Sequence, residues 1–494
     1  MIKRLFGILS LATLVSTTQA QDIKYRVETT GTYATEDTPP TWHLSNRQGL
    51  SGNEAGFAYM RAGLAGDYTL GNKGFSLSWG ADVVAGEGLT SALFIQQAYA
   101  DVNWKMFALS MGQKERWGEL KNHRISSGGL VESGNARPVP QIRIEVPEYY
   151  DFFGTNGWFK IRGHLAYGWF SDGEWQKDWV NDGNAHTVGV RYHSKAIFFK
   201  IGKKEKHPLS FEWGLQMTTQ FGGTIYNFEN VKGVNHTNPT RLTDYFKAFV
   251  PSSGDKEYTD FDKANIAGNH LGSWHAAINW EQEEWSLRTY YEHLFDDHSQ
   301  MFMEYGLWTE QLVGIELKLK DCKWIKGVAI EYFNLKNQSG PVYHDKTDKI
   351  PDQISCRDDN YNHKWYNGWF NYGMVMGSPL VTSPIYNENR ILNCYNNRVE
   401  AFHIGIEGEP TEELSYRILF THSNNWGTYK DPFTEIKTNS AGLIEIAYKP
   451  GKFKGWSVKA SYAFDNGGLH GNNCRSGMFT ICKSGIINLK KKNK

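Results

Sequence analysis

Between its turn signals the chain alternates apolar and polar residues with a period of two, and this restricts the fold more than any other feature. Phe75, Leu77, Trp79, Ala81 and Val83 are apolar, whereas Ser76, Ser78, Gly80 and Asp82 are small or polar. Trp456, Val458, Ala460, Tyr462 and Phe464 share one face of a second segment, opposite Ser457, Lys459, Ser461 and Ala463. Trp274, Ala276, Ile278 and Trp280 repeat the pattern opposite Ser273, His275 and Asn279. Such alternation marks strands whose two faces meet different surroundings. The apolar faces begin or end in aromatics, as girdles at two membrane interfaces require.

A soluble β-sandwich also alternates, so the connections decide. Short turns fall at Gly71 to Gly74, around Lys105, at Glu281 to Glu284, Asp321 to Lys326, Gly408 to Glu413 and Pro450 to Gly455. Long polar connections lie between them: Lys114 to Gly157, Phe221 to His270, Asp296 to Thr309, Lys336 to Asn397, Asn424 to Asn439 and Asp465 to Asn473. Short periplasmic turns alternating with long extracellular loops are the signature of an up-and-down membrane barrel. The expected fold is therefore all-β, a transmembrane antiparallel barrel of about 18 strands with long extracellular loops. About seventeen strands are obvious, and a barrel of this kind needs an even number. Short turns follow even-numbered strands before Lys114 but would follow odd-numbered ones from Glu281 onward, so one strand is hidden between them. The candidate is Ala196 to Ile201, with a plug helix as the alternative. Counting it as a strand puts both termini on the periplasmic side.

The first residues, Met1 to Ala20, carry Lys3 and Arg4, an apolar run from Leu5 to Val15 and a small-residue cleavage site before Gln21. They read as a signal peptide, with residues 21–494 forming one domain. Beyond Val15 there is no apolar run of the roughly 18 residues that a membrane helix needs, so membrane crossing would have to use strands. The mean hydropathy of −0.54 suits lipid-facing residues hidden between polar ones. Basic and acidic residues are equal at 53 each, which offers nothing to a nucleic acid. Among the five cysteines, Cys356 and Cys394 flank one polar segment and form the expected disulfide. Cys474 and Cys482, eight residues apart on one strand, would lie roughly 26 Å apart, too far to bridge.

The segment Ser126 to Gln141 contains Ser133, Gly134, Asn135, Ala136, Arg137, Pro138, Val139 and Pro140. It resembles the Ser-Gly-Asn-Ala-Arg-Pro-x-Pro signature of the Wzi capsule-assembly family, with supporting similarity in Gly112 to Trp117 and Leu165 to Phe170. The resemblance extends more weakly along the hairpins to Ser484. It implies an eighteen-stranded outer-membrane barrel of a Gram-negative bacterium, acting as a surface lectin that attaches capsular polysaccharide. Two features depart from the family. The chain ends in Asn488 to Lys494 in place of a terminal aromatic, which moves the signal for the barrel-assembly machinery upstream, near Phe479. Asp22 to Ala34 also reads as a strand where better-known members carry plugging helices.

Sugar binding needs aromatic faces bordered by planar amide, carboxylate or guanidinium groups. The loop from Lys336 to Asn397 supplies Tyr343, His344, Trp365, Tyr366 and Trp369 among asparagines and aspartates, and both tryptophans are expected to face solvent. The other reading is that these rings pack the loop against itself. Residues 114–157 add Arg116, Trp117, His123, Tyr149 and Tyr150, the arginine as a partner for an acidic polymer. Trp426 and Tyr429 are expected to border the same surface. Arg137, between two prolines, is assigned a structural role, folding its loop into the lumen by bonding carbonyls.

No nucleophile elbow or nucleotide fingerprint is present. His344 with Asp345 and His363 with Asp358 match no established metal or acid–base spacing. No catalysis, metal or cofactor is expected. The expected partners are surface polysaccharide, outer-membrane lipid and the assembly machinery. The rival reading is a porin or polysaccharide export channel, because a barrel this wide can hold water. Lumen-facing Arg288, Glu292, Arg417 and Lys459 suit either.

Overall fold

The computed structural model describes residues 22–70, 74–152, 154–252, 267–296, 298–304, 306–338, 358–471 and 473–488. Eighteen antiparallel strands form one closed sheet. In chain order they are β1 (Asp22–Ala34), β2 (Gly56–Leu70), β3 (Phe75–Glu87), β4 (Leu93–Trp104), β5 (Phe107–Gln113), β6 (Gln141–Asp151), β7 (Phe159–Trp169), β8 (Arg191–Ile201), β9 (Leu209–Phe221), β10 (Asn269–Glu281), β11 (Trp285–Phe295), β12 (Gln311–Leu319), β13 (Gly327–Asn334), β14 (Val399–Gly408), β15 (Leu414–Gly427), β16 (Pro432–Tyr448), β17 (Trp456–Gly467) and β18 (Cys474–Asn488). Closure joins β1 to β18, from Asp22 opposite Asn488 to Ala34 opposite Ser476. Closure matters because an open sheet edge in lipid would leave backbone groups without partners.

Register carries the sequence alternation around the barrel. Phe211 pairs with Ile278, Ile315 with Ile330, Ile330 with Ile404 and Ile404 with Phe420, and all six side chains are exposed on the outer face. The intervening residues point inward: Glu331 pairs with His403 and His403 with Thr421, all buried in the lumen. Apolar outside and polar inside is the arrangement of a membrane barrel. Among the described residues no helix is long and apolar enough to cross a membrane.

The barrel has the even number of strands that parity required, and Ala196–Ile201 is strand, but as the second half of β8; the strand absent from the expected order is β6. Two expected connections were drawn too long. The stretch 114–157 contains β6, obscured by Pro140 at its start and by Pro147 inside a bulge between Val146 and Tyr150. β15 and β16 run on to Gly427 and from Pro432, shortening the connection between them.

The lumen is filled by chain. Residues 114–140 descend into it, and the carboxylates of the wall hold them there. Glu331 accepts from Ser126 Oγ at 2.6 Å, from the Ser127 amide at 2.7 Å and from the Tyr290 hydroxyl at 2.5 Å. Glu292 pairs with Lys121 and accepts from the Leu130 amide at 2.9 Å. Glu407 binds Arg124 Nε at 2.7 Å, and Arg417 donates to the Arg124 carbonyl at 3.1 Å. A buried carboxylate is costly without such partners, so a charged wall and a loop rich in donors stabilise each other. Residues 358–398 form a cap on top. Tyr361 donates to the Leu130 carbonyl at 2.5 Å, Trp369 Nε1 to the Val131 carbonyl at 2.7 Å, and Asn371 to the Arg137 carbonyl at 2.8 Å. A short helix, α1 (Thr41–Leu44), also lies against the inner wall, where His43 reaches Ser476 and Ser461 at 2.9 Å each.

Candidate functional site

A cleft of about 1150 Å³ opens at the long-loop end, above the filled lumen. One wall is helix α2 (Gly173–Trp179). Trp175 and Trp179 are four residues apart, so both project from one helical face; their rings stack with centroids 5.5 Å apart at 19°. Both are half-buried and line the cleft.

The helix is set by its own buried polar residues. Gln176 accepts from the Thr187 amide at 2.9 Å and donates to Asp172 at 3.1 Å. Asp172 in turn accepts from the Tyr372 amide at 2.9 Å, which ties α2 to the cap. Burial raises the Asp172 carboxyl above its ordinary range. Behind Trp175 lies Tyr372, rings 6.0 Å apart. Neighbouring Gly373 has a positive φ of 72° and room for no side chain, because a Cβ there would sit 2.5 Å from the Trp175 ring.

The facing wall is an asparagine-rich turn of the cap. Asn387 donates to the carbonyls of Ile391 and Asn393 at 2.6 and 2.8 Å, while its buried Oδ1 accepts no hydrogen bond among the described residues. Asn181 and Asn184 donate to the Asn389 carbonyl at 3.1 and 3.3 Å, bridging the cap to the segment after α2. The acidic residues on the lining are Asp37, Glu54, Glu388 and Asp431, against the cations Arg390 and Lys437. Paired indoles, amides and an excess of carboxylates suit a hydroxyl-rich ligand without dense negative charge.

The motif lies directly beneath. Gly134 lets Trp117 approach so closely that a Cβ would meet its ring at 2.0 Å. Ser133 donates to the Gly377 carbonyl at 2.7 Å and Asn135 to that of Val375 at 2.9 Å, and Pro140 accepts from the Trp169 amide at 3.2 Å. The expectation for Arg137 needs correction. Its guanidinium is sandwiched between Phe94 and Tyr372, at 3.6 and 4.0 Å from their centroids, and donates to Thr90; among the described residues it bonds no carbonyl. Burial lowers its pKa to about 10, so it remains charged at neutral pH. Pro138, Arg116, Trp117, Glu132 and Arg143 border an internal chamber of about 60 Å³. At roughly 10–15 Å³ per water this holds only a few molecules.

The structure scatters the residues expected to bind sugar. Trp369 is completely buried (0 % exposed) and Tyr366 nearly so, which corrects the expectation that both loop tryptophans face solvent. Trp365 is half-buried and stacked on Phe228, centroids 4.0 Å apart at 3°. Arg116 is half-buried and donates to Ser110 at 3.0 Å and to the Lys114 carbonyl at 3.2 Å, so its guanidinium is engaged within the barrel. Trp117 stacks on His123 inside the lumen, 4.5 Å apart. Tyr149 and Tyr150 belong to β6 rather than a surface loop: Tyr149 points inward to Glu212 at 3.0 Å, and Tyr150 outward from the barrel wall. Trp426 is buried beneath Lys336, whose ammonium lies 4.5 Å from its ring. Tyr429 sits between Thr428 and Asp431, both on the cleft lining. Tyr343, His344 and Cys356 lie outside the described residues, so the pairing expected of Cys356 with buried Cys394 lies outside them too. Trp175 and Trp179 escaped sequence reasoning, although Trp-x-x-x-Trp in a short polar segment was the available signal.

The barrel's shape can be set beside solved structures. Wzi of Escherichia coli, described as an outer-membrane protein involved in group 1 capsule assembly and a carbohydrate-binding β-barrel, superposes with a TM-score of 0.56 at 13% identity, covering 96% of this chain and 86% of that one. The fold is that of an outer-membrane barrel. OccAB4 of Acinetobacter baumannii aligns with a TM-score of 0.46 at 9% identity, over 95% of this chain and 99% of that one. OccK5 of Pseudomonas aeruginosa gives 0.47 at 7%, over 94% and 98%. No protein-family model and no curated protein sequence matches the chain.

Proposed function

We propose that this chain, after loss of residues 1–20, resides in the outer membrane of a Gram-negative bacterium. There it binds surface or capsular polysaccharide in the cleft at its long-loop end and so helps attach or assemble it, without chemical change to the glycan. The observation that carries this reading is the stacked Trp175–Trp179 pair on the wall of an open cleft set over a lumen filled by residues 114–140 and 358–398. A glycan needs a platform and amides, which the cleft has. A pore needs a continuous water path, and the wall carboxylates are instead spent on holding chain. The likeness to the Wzi signature at Ser133–Pro140 supports the same reading, because the motif braces the cleft wall through Arg137 and Tyr372.

The test is binding of purified barrel to extracted surface polysaccharides, comparing wild type with Trp175→Ala/Trp179→Ala. By analogy with base stacking at about 1–3 kcal/mol per ring, the double variant should lose at least tenfold in affinity with normal heat-modifiable mobility. Equal binding by the two proteins, or large stable conductance steps from wild type in planar bilayers, would defeat the proposal.

A further inference from the structure

Two pieces of the connections at the long-loop end, residues 242–250 and the described residues from Gln300 to Thr309, lie over the outside of the wall. The first carries helix α3 (Leu242–Phe249). Its carbonyls are held by the wall: Tyr167 donates to Tyr245 at 2.9 Å, Thr219 to Ala248 at 3.4 Å, and Lys195 to Phe249. The second follows β11. Trp274 Nε1 donates to the Met301 carbonyl at 2.8 Å and the Tyr291 hydroxyl to that of Leu307 at 2.6 Å, and the His293 ring nitrogens lie 3.0 Å from the carbonyls of Thr309 and Gln300.

All these wall residues face outward. Lys195 shares the face of exposed Ile197, Thr219 that of Phe211, and Trp274 that of Ile278, while Tyr291 pairs with Ala276 on the same side. The outer wall thus changes character near its long-loop rim on this flank, from isoleucine and phenylalanine to side chains that donate hydrogen bonds. Those donors satisfy loop carbonyls that a hydrocarbon environment could not.

The side chains turned away from the wall are large and apolar. Leu242 is 89% exposed, Phe246 67% and Trp308 70%, with Leu307 and Val250 also exposed. On β8 and β10 the loop-holding Lys195 and Trp274 stand two and four residues from outward-facing Ile197 and Ile278, so the loop faces adjoin the lipid-facing band. An exposed apolar patch of this kind needs a cover. On the opposite flank the β15–β16 connection, residues 428–431, carries no such surface.

We propose that these two loop faces are embedded in the acyl-chain layer of the leaflet at the long-loop end, giving the flank from β7 to β13 a taller apolar band than the rest of the barrel. The occupant is lipid because the patch adjoins the lipid-facing band on the same flank of the barrel. The loop carbonyls that face the wall also find their partners there, as lipid contact demands.

The experiment uses the whole barrel in phosphatidylethanolamine–phosphatidylglycerol vesicles containing a phospholipid with a diazirine in its acyl chain, followed by photolysis and peptide mapping. Adducts are expected on 242–250 and on Leu307–Trp308, as on the strand band around Ile278, and not on the cleft turn at 387–393. Leu242→Glu/Phe246→Glu with Trp308→Glu should reduce the loop adducts at least tenfold and leave those at Ile278 unchanged. Wild-type adducts confined to the strand band would overturn the proposal. So would crosslinks joining Phe246 or Trp308 of two copies in place of lipid, which would make the patch a contact between barrels.

Discussion

The guanidinium carbon of Arg137 stands 4.0 Å from the ring centroid of Tyr372, and that ring backs Trp175 on the cleft wall. One arginine in the lumen loop therefore positions an aromatic platform contributed by a different loop. Each cation–π contact contributes about 0.5–2 kcal/mol, and lysine cannot replace the planar stack. Arg137→Ala should weaken polysaccharide binding about tenfold and expose the cap to limited proteolysis, with Arg137→Lys recovering little of either. Barrel closure, read by heat-modifiable mobility, should be unchanged, since it rests on strand pairing. Wild-type binding by Arg137→Ala would show that the stack does not position the platform.

Trp369 and Trp175 should respond in opposite ways. Trp369 is completely buried and donates to the Val131 carbonyl, so Trp369→Ala leaves a cavity and an unsatisfied acceptor, at a cost of about 3–5 kcal/mol. It should loosen the cap, seen as faster amide exchange in 358–398. Trp175→Ala should lower glycan affinity without that loosening. If the two variants behave alike in exchange, the division between packing and platform fails.

Removing the carboxylates that hold the lumen loop should open a water path. Glu292→Ala/Glu331→Ala strands buried Lys121 and leaves the amides of Ser127 and Leu130 without acceptors. Loss of a buried partner of this kind costs about 3–5 kcal/mol. Wild type should be nearly silent in planar bilayers, and the double variant should show openings at least about tenfold more often. Silence from both would mean that other contacts suffice to keep the loop in place.

Acid should detach α1 from the inner wall. Burial lowers the pKa of His43 from 6.5 to about 3, so the folded chain keeps the ring neutral between Ser461 and Ser476. Below pH 6.5 the unfolded segment takes up a proton that the folded one refuses, so this stabilisation is complete above pH 6.5 and falls as the pH drops toward about 3. Amide protection factors in residues 40–50, with exchange rates corrected for their intrinsic pH dependence, should fall between pH 7 and pH 4, and His43→Gln should flatten the response. An equally steep response in the variant would assign it to other groups.

Much of the barrel was legible because its code is local. Phe75 to Val83 and Trp456 to Phe464 alternate within single strands, and connection lengths set the parity that called for one more strand between Lys114 and Glu281. β6 escaped because Pro140 and Pro147 interrupt a segment whose Ile142 and Ile144 do alternate with Gln141 and Arg143. The platform at Trp175 and Trp179 is a local helical pair, yet nothing local distinguished it from the richer aromatic run at Trp365 to Tyr372. Which aromatics are covered depends on distant partners: Trp369 is sealed by a carbonyl 238 residues away.

By itself, then, the sequence determined a closed membrane barrel, its alternating faces and which end carries the long loops, because strand alternation and turn length are properties of neighbouring residues. Only the tertiary structure decided that 114–140 turns into the lumen, that Leu242–Phe249 turns down the outer wall and that Trp175 borders the cleft. Those choices depend on pairing buried charges and carbonyls with donors across the barrel, such as Glu331 with Ser127 or Tyr167 with Tyr245, and no local pattern records which partner each will find.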